Sequence, residues 1–189
     1  MFRAPSLSRS LAAFAAGAAL SAFAGRIMPP LAGRAIGRAR VASGGDPFDA
    51  LARDHRRVLG MIDMLLQSDD SSRLRRATGL MQVKRSLTAH ALAEEDTVYP
   101  LLREEVGAVE AADRLYREHA ELKIHLFRLE HMPKDDMAWR EELQNLRELI
   151  ARHAADEENE QFPRLRKALS REATARLSGD IEREKQMVL

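Results

Sequence analysis

One pattern, H-x3-E-E-x3-[YF]-P-x-L-R, occurs twice in the chain, at residues 90–103 and 153–166. Residues four apart lie on the same face of a helix. Each copy therefore places a histidine beside a carboxylate, at His90 and Glu94 or at His153 and Glu157. Two such faces that point at each other can hold a metal ion. The repeat thus requires a fold in which two helices bring these faces together.

The rest of the chain also has helical periodicity. Apolar residues three and four apart predict four long helices at about residues 46–67, 71–104, 108–131 and 136–168. The segments between them are short and rich in turn-forming residues, which favours antiparallel neighbours. We therefore expect an all-α protein, an antiparallel up-down-up-down four-helix bundle. A last amphipathic segment, about 170–187, is expected to form an extra C-terminal helix outside the bundle.

These boundaries predict an extension at residues 1–45, a helical domain at residues 46–168 and a C-terminal helix at residues 169–189. The extension contains six Arg and no Asp or Glu, whereas the remaining chain contains 24 Lys and Arg against 29 Asp and Glu. A mildly acidic domain argues against a nucleic-acid surface. The chain has no Cys, which excludes disulfides and thiolate metal sites.

The extension has three interpretations. The Ala-rich run from Leu11 to Ala24 follows two Arg residues and has the layout of an export signal, with cleavage near Ala24. A basic helix on an anionic membrane surface is the second, and a tail without fixed contacts is the third. We expect a cytoplasmic protein, or one associated with the cytoplasmic side of a membrane, with export as the alternative.

The apolar stripes contain an anomaly, because every predicted bundle helix has a histidine on its core-facing stripe. Two of the four stripes also carry a carboxylate, which is costly to bury unless a cation accompanies it. The repeat extends to helix pairs, since Asp54-His55 precedes His90 by 35 residues and Glu118-His119 precedes His153 by 34. Each half thus offers two histidines and one glutamate. Two metal ions bridged by both carboxylates is the simplest occupancy, and nitrogen and oxygen ligands suit iron, manganese or zinc.

At these residues the sequence resembles the hemerythrin-like, HHE cation-binding family, over roughly residues 46–168. The resemblance implies a four-helix bundle with a non-haem di-iron centre, bridged by an oxo group or by carboxylates. Manganese and zinc are alternatives to iron. The motif implies that both glutamates bridge the ions, and the implied metal ligands are His55, His90, Glu94, His119, His153 and Glu157.

Two positions depart from the oxygen-carrying members of the family. Those members have a further histidine four residues after the third-helix one, where this chain has Lys123. The missing ligand argues against reversible oxygen carriage and leaves an open coordination position. Lys123 is expected either to fill that space or to pair with a carboxylate. Those members also place the fourth-helix carboxylate five residues after its histidine, which makes Glu158 a rival to Glu157. We prefer Glu157 because the internal repeat pairs it with Glu94.

The residues beside the predicted ligands have their own interpretations. The second acid of each repeat, Glu95 or Glu158, is expected to face a helix interface or solvent, with a hydrogen bond to a ligand as the alternative. Asp54 and Glu118 are expected either to hydrogen-bond a ligand histidine or to lie at the surface. Tyr99 is expected to be a packing residue rather than a ligand.

Outside these positions, His125 and His131 have no equivalent in the other half and are expected to be peripheral. Pro100 and Pro163 are expected to kink or break their helices and to free a backbone carbonyl.

The ligand set predicts a non-haem di-iron protein that binds or senses O2, NO, peroxide or iron. The alternatives are an enzyme that consumes peroxide or NO, and a module that the metal mainly stabilises. A ferritin-like oxidase needs Glu-x-x-His pairs, but Leu87, Tyr116 and Ile150 stand three residues before the histidines. No phosphate-binding loop or dinucleotide motif predicts an organic cofactor. The expected partners are a diatomic or peroxide ligand and a membrane surface, which residues 1–45 would contact. No nucleic-acid partner is expected.

Overall fold

The computed structural model describes residues 35–69 and 71–188. Over this part the chain is helical and contains no strand, as a composition rich in Ala, Leu, Arg and Glu favours. No helix among the described residues is long and apolar enough to cross a bilayer. The segment interpreted as an export signal or a membrane-surface helix, Leu11 to Ala24, lies outside the described residues.

Residues 35–42 are helical, and seven further α-helices follow within the described ranges. In chain order they are α1 (Pro47–Leu66), α2 (Arg73–Ala93), α3 (Tyr99–Glu104), α4 (Val109–His131), α5 (Met137–Asp156), α6 (Phe162–Ala168) and α7 (Arg171–Val188). Two π-helical turns join α2 to α3 and α5 to α6, at Glu94–Val98 and Glu157–Gln161. The α–π–α segments correspond to the second and fourth helices predicted from the sequence.

The long helices pack in neighbouring pairs. Helix α1 packs against α2 and α5, α4 packs against α5 and α2, and α7 lies against α2. Their buried apolar side chains form two separate clusters. One cluster contains Leu51, Leu115 and Phe162, and the other contains Val58 and Leu122. One histidine from each of α1, α2, α4 and α5 lies in the layer between the two clusters, so apolar packing on both sides encloses a polar layer.

The two prolines of the repeat do not break their helices, so that part of the prediction is wrong. Pro100 and Pro163 lie in the first turn of α3 and α6, where a missing N–H costs little. In each copy the residue before the proline donates its N–H to the carbonyl of the first glutamate, Glu94 or Glu157, five residues back. This wider π turn carries the chain past the proline.

Polar contacts join the start of α1 to α6 and residues 35–42 to α7. Asp46 caps α1 by accepting a hydrogen bond from the Phe48 N–H at 2.7 Å. Its other oxygen accepts one from Arg166 Nε of α6 at 2.7 Å. Residues 35–42, assigned to the extension by sequence, contact α7: Ser178 Oγ donates to the Gly37 carbonyl at 2.9 Å. A Cβ at Gly37 would lie 2.2 Å from the Ser178 carbonyl oxygen, so only glycine fits there.

Candidate metal centre

Six polar side chains meet in the layer between the two apolar clusters. They are the six ligands predicted from the sequence, and each is at most 2% exposed: His55, His90, Glu94, His119, His153 and Glu157. The helices α1, α2, α4 and α5 each supply one histidine, and the first residues of the two π turns supply the glutamates. The structure therefore brings all six predicted residues together.

The two histidines of α1 and α2 form the first half of the cluster. The ring centroids of His55 and His90 are 4.5 Å apart. His55 Nε2 lies 3.2 Å from Glu157 Oε2 and 3.9 Å from Glu94 Oε1. His90 Nε2 lies 3.0 Å from Glu94 Oε2. Both glutamates thus face this half through at least one oxygen.

The histidines of α4 and α5 form the second half. The Nε2 atoms of His119 and His153 are 3.2 Å apart. His119 Nε2 lies 3.6 Å from Glu94 Oε2, and His153 Nε2 lies 3.4 Å from Glu157 Oε2. Each glutamate therefore contacts histidines of both halves. Donor atoms of His55, Glu94, His153 and Glu157 all lie within 4.8 Å of one another.

The inner atoms of this cluster are poorly satisfied by the protein. Five of its inner side-chain atoms make no hydrogen bond within the described residues: His55 Nε2, His90 Nε2, both oxygens of Glu94 and Glu157 Oε2. Buried polar atoms without partners are costly. A cation among them would supply the missing interaction, and imidazole with carboxylate suits iron, manganese or zinc. The residues present fit a metal centre.

A ring of four carboxylates surrounds the histidines. Glu95 Oε1 and Glu118 Oε2 lie 3.0 Å and 2.8 Å from the Nδ1 atoms of His119 and His153. In the first half, the Nδ1 of His55 is 2.9 Å from Glu158 Oε1, and that of His90 is 3.8 Å from Asp54 Oδ2. A carboxylate on Nδ1 holds the ring so that Nε2 faces the centre.

These contacts decide several open interpretations. Glu95 and Glu158 do not simply face an interface or solvent, so that expectation is wrong and the hydrogen-bond alternative holds. Glu118 also hydrogen-bonds a histidine, whereas Asp54 lies close to one beyond hydrogen-bonding distance. Glu158 faces the outer nitrogen of His55, Nδ1, whereas Glu157 faces the inner one, Nε2. These contacts favour Glu157 as the inner carboxylate.

Each outer carboxylate has a basic partner in turn. Lys185 of α7 donates to Asp54 Oδ2, and Lys123 Nζ donates to Glu95 Oε1 at 2.8 Å. The other two pairs are looser, with Arg114 3.9 Å from Glu118 and Arg56 3.9 Å from Glu158. The Lys123 side chain is 60% exposed. It pairs with a carboxylate and does not enter the space of a missing ligand.

Sequence reasoning undervalued Tyr99. The side chain is fully buried, and its hydroxyl lies 2.9 Å from His119 Nε2 and 3.0 Å from Glu157 Oε1. The packing interpretation is therefore incomplete, because the hydroxyl lies among the predicted ligands. The sequence signal was the difference between Tyr99 and Phe162 at the same position of the repeat.

The two remaining histidines lie outside the cluster, as predicted. His125 Nδ1 is 3.0 Å from Glu142 Oε1. His131 Nδ1 donates to the carbonyl of Phe127 at 2.7 Å.

The electrostatics of the metal-free cluster oppose metal binding until a proton leaves. Burial acts to lower the pKa of His90, but the carboxylates of Glu94, Asp54 and Glu157 together outweigh burial and raise that pKa to about 9. Burial acts to raise the pKa of Asp54, but His90 and Lys185 beside it lower that pKa to about 2. At neutral pH His90 therefore carries a proton that a cation must displace. A surface cavity of about 90 Å³, lined by Asp54, Ser86, His90 and Lys185 among others, reaches this histidine.

Comparison with known proteins agrees with this geometry. The family model described as the hemerythrin HHE cation binding domain matches residues 46–165. A DNA nickase of Nostoc sp. is 28% identical over 140 residues, which cover 74% of this chain and 39% of the nickase. An uncharacterised hemerythrin-like protein of Schizosaccharomyces pombe is 28% identical over 142 residues, which cover 74% of this chain and 69% of that protein. No solved structure matches the chain significantly.

Proposed function

Because the chain belongs to the hemerythrin HHE cation-binding family, we propose that it holds two non-haem iron ions and binds or senses a small ligand. O2, NO and peroxide are the ligand candidates, and iron itself is the alternative object of sensing. The ligands would be His55, His90, Glu94, His119, His153 and Glu157. The proposal includes the antiparallel up-down-up-down order of the four long helices.

The observation that carries the proposal is the set of buried inner atoms without hydrogen bonds. The grouping of the histidines supports two ions rather than one. The histidines group as His55 with His90 and as His119 with His153, and each glutamate contacts both groups. Six protein ligands for two ions leave positions free for a small molecule.

Iron would supply the redox chemistry and the affinity for diatomic ligands. The chain supplies the surroundings. The outer carboxylates orient the histidine rings. The two apolar clusters exclude water from both sides of the layer that contains the six predicted ligands. The cavity beside His90 is large enough for a diatomic molecule or peroxide. The alternative function is an enzyme that consumes peroxide or NO at the same centre. The third function is a module that the metal mainly stabilises.

The remaining expectations are proposals on the sequence alone. We propose that the domain does not bind nucleic acid, because it is mildly acidic. The alignment covers only 39% of the relative that is named a DNA nickase. We therefore do not propose DNA nicking for this chain. We also propose, from the sequence alone, that basic residues 1–45 contact an anionic membrane and that the protein is cytoplasmic. Export is the alternative.

The test is metal analysis with absorption spectroscopy on the full chain expressed with added iron. We expect about two iron ions per chain, as a dinuclear carboxylate site would hold, and a visible spectrum that changes with azide, peroxide or NO. The double variant His55→Ala/His119→Ala should lose the iron. His125→Ala, outside the cluster, is the matched control and should keep it.

Iron content in the wild type no higher than in the double variant would overturn the proposal. Iron that binds without any spectral response to the added ligands would leave only the stabilising role. In that case, chelation should lower the melting temperature of the wild type and not that of the double variant. Consumption of peroxide or NO over many cycles would favour the enzyme.

A further inference from the structure

The repeat is broken at one position that faces the cluster. Tyr99 and Phe162 occupy the same place in the two copies, while the other specified positions are identical. Both side chains are buried. The ring of Phe162 lies parallel to that of His55, with centroids 6.4 Å apart, and it brings no polar atom. Tyr99 brings a hydroxyl to the opposite half.

The distances around this hydroxyl are those of neighbouring ligands on one ion. Two donor atoms that bind a metal at about 2.1 Å and at right angles lie roughly 3.0 Å apart. Tyr99 Oη is 2.9 Å from His119 Nε2 and 3.0 Å from Glu157 Oε1. His153 Nε2 lies 3.2 Å from His119 Nε2. These three distances match those between neighbouring ligands of one ion.

The protonation of the two histidines decides which of these contacts are hydrogen bonds. His119 and His153 use their Nδ1 atoms to face Glu95 and Glu118. When both rings are neutral and carry their proton on Nδ1, both Nε2 atoms lack a proton. The Tyr99 hydroxyl has one proton and faces two acceptors, and it can satisfy only one of them.

We propose that Tyr99 is a seventh metal ligand, whose phenolate oxygen binds the iron ion held by His119 and His153. The inference rests on the proposed function, because it requires iron in the cluster. The O–H bond of the phenol breaks as the oxygen–iron bond forms, and the proton leaves to solvent without a change of oxidation state. Tyrosine is an established protein ligand of ferric iron. The two metal positions then differ, because Phe162 offers no oxygen to the ion of the other half.

Burial and the nearby carboxylates of Glu157 and Glu94 raise the pKa of Tyr99 well above its usual value. The metal-free protein therefore contains a neutral phenol. A cation in contact with the oxygen opposes both causes of the shift. The negative phenolate would offset the charge of a ferric ion better than that of a ferrous ion, so the ion beside Tyr99 is expected to be the harder one to reduce.

The test uses the fact that the chain has two tyrosines. The second, Tyr116, packs its ring edge-on against that of Tyr99, with centroids 5.0 Å apart, but donates its hydroxyl to the carbonyl of Glu95 at 2.7 Å. Tyr99→Phe and Tyr116→Phe remove the same atom at the two positions. Iron per chain, the ferric visible spectrum and resonance Raman spectra are measured on the full-length wild type and both variants.

We expect a phenolate-to-iron absorption band and phenolate Raman modes in the wild type and in Tyr116→Phe. Both signals should be lost completely in Tyr99→Phe, which should still bind iron. Tyr116→Phe also tests the inference without altering Tyr99, because its one tyrosine must give the signal. Ring-deuterated tyrosine should then shift the Raman modes.

Iron-loaded wild type without phenolate modes would overturn the inference and leave the proposed function intact. The same follows if the modes persist in Tyr99→Phe or vanish in Tyr116→Phe. Absence of iron from the wild type would overturn both proposals.

Discussion

The two halves of the metal centre have the same inner residues and different surroundings. In each half two histidines face the centre, and both glutamates contact both halves. The second half has Glu118 at 2.8 Å from its histidine and the hydroxyl of Tyr99 beside its inner nitrogen. The first half has Asp54 at 3.8 Å and the ring of Phe162. The repeat makes the ligands symmetric, and single residues around them break the symmetry.

Part of this difference comes from outside the repeat. Asp54 is one methylene shorter than Glu118, and its Oδ2 is bound by Lys185 of α7. The family match ends at residue 165, before α7 begins. Helix α7, outside the matched range, thus supplies a basic partner to the carboxylate beside His90. An element outside the matched domain therefore contacts the surroundings of the candidate site without supplying a predicted ligand.

The largest effect is expected from removing an inner carboxylate, because each serves both halves. Glu157→Ala should reduce iron to at most one ion per chain, since the carboxylate shared by the two histidine pairs is gone. Metal analysis after gel filtration measures this. Exposed Glu160 supplies the control Glu160→Ala, which should keep the wild-type content. Two ions in Glu157→Ala would show that the halves bind metal independently.

The pH dependence should single out the first half. The pKa of His90 is raised from 6.5 to about 9, so its protonated form stabilises the metal-free fold fully below pH 6.5. That contribution is lost as the pH rises through 9. Metal affinity should move the opposite way, rising by up to roughly tenfold per pH unit while one proton is displaced. Denaturation and metal titration across pH 6.5 to 9 measure both.

His90→Gln is the variant that checks the assignment. It should flatten the stability profile of the metal-free protein in this range, while His125→Gln should leave the profile unchanged. An unchanged slope in His90→Gln would assign the titration to another group.

The outer carboxylates offer a direct test of the asymmetry. Glu118→Gln should weaken iron binding by roughly 10- to 100-fold, since a carboxylate on a ligand histidine typically contributes that much. Asp54→Asn should have a smaller effect, because its oxygen lies 3.8 Å from His90. Competition with a chelator of known affinity gives both values. Equal losses in the two variants would contradict the comparison.

The smallest effect is expected from Lys185→Met on α7. Without the lysine, Asp54 is free to turn toward His90, so iron should bind slightly tighter, by less than tenfold. Lys84→Met removes a more exposed lysine–glutamate pair away from the cluster, with Glu130, and should leave the affinity unchanged. Weaker iron binding in Lys185→Met would mean that the lysine supports the site instead of drawing Asp54 away.

Much of this architecture was predictable from the chain. The histidines at helical spacing and the twice-written motif predicted the helices and six side chains that the structure brings to one layer. The same pattern could not predict the partners of Glu95 and Glu158, because each reaches a histidine more than twenty residues away on another helix. It also predicted a kink or a break at Pro100, where a π turn carries the helix onward.

The sequence by itself determined that the chain is helical and that each half supplies two histidines and a carboxylate, because helical periodicity is local and readable residue by residue. Only the tertiary structure decided which oxygen faces which nitrogen, since those contacts join different helices. It placed the Tyr99 hydroxyl among the inner atoms and Lys185 on Asp54. Such placements depend on how whole helices pack, and residues far apart in the chain determine that packing together.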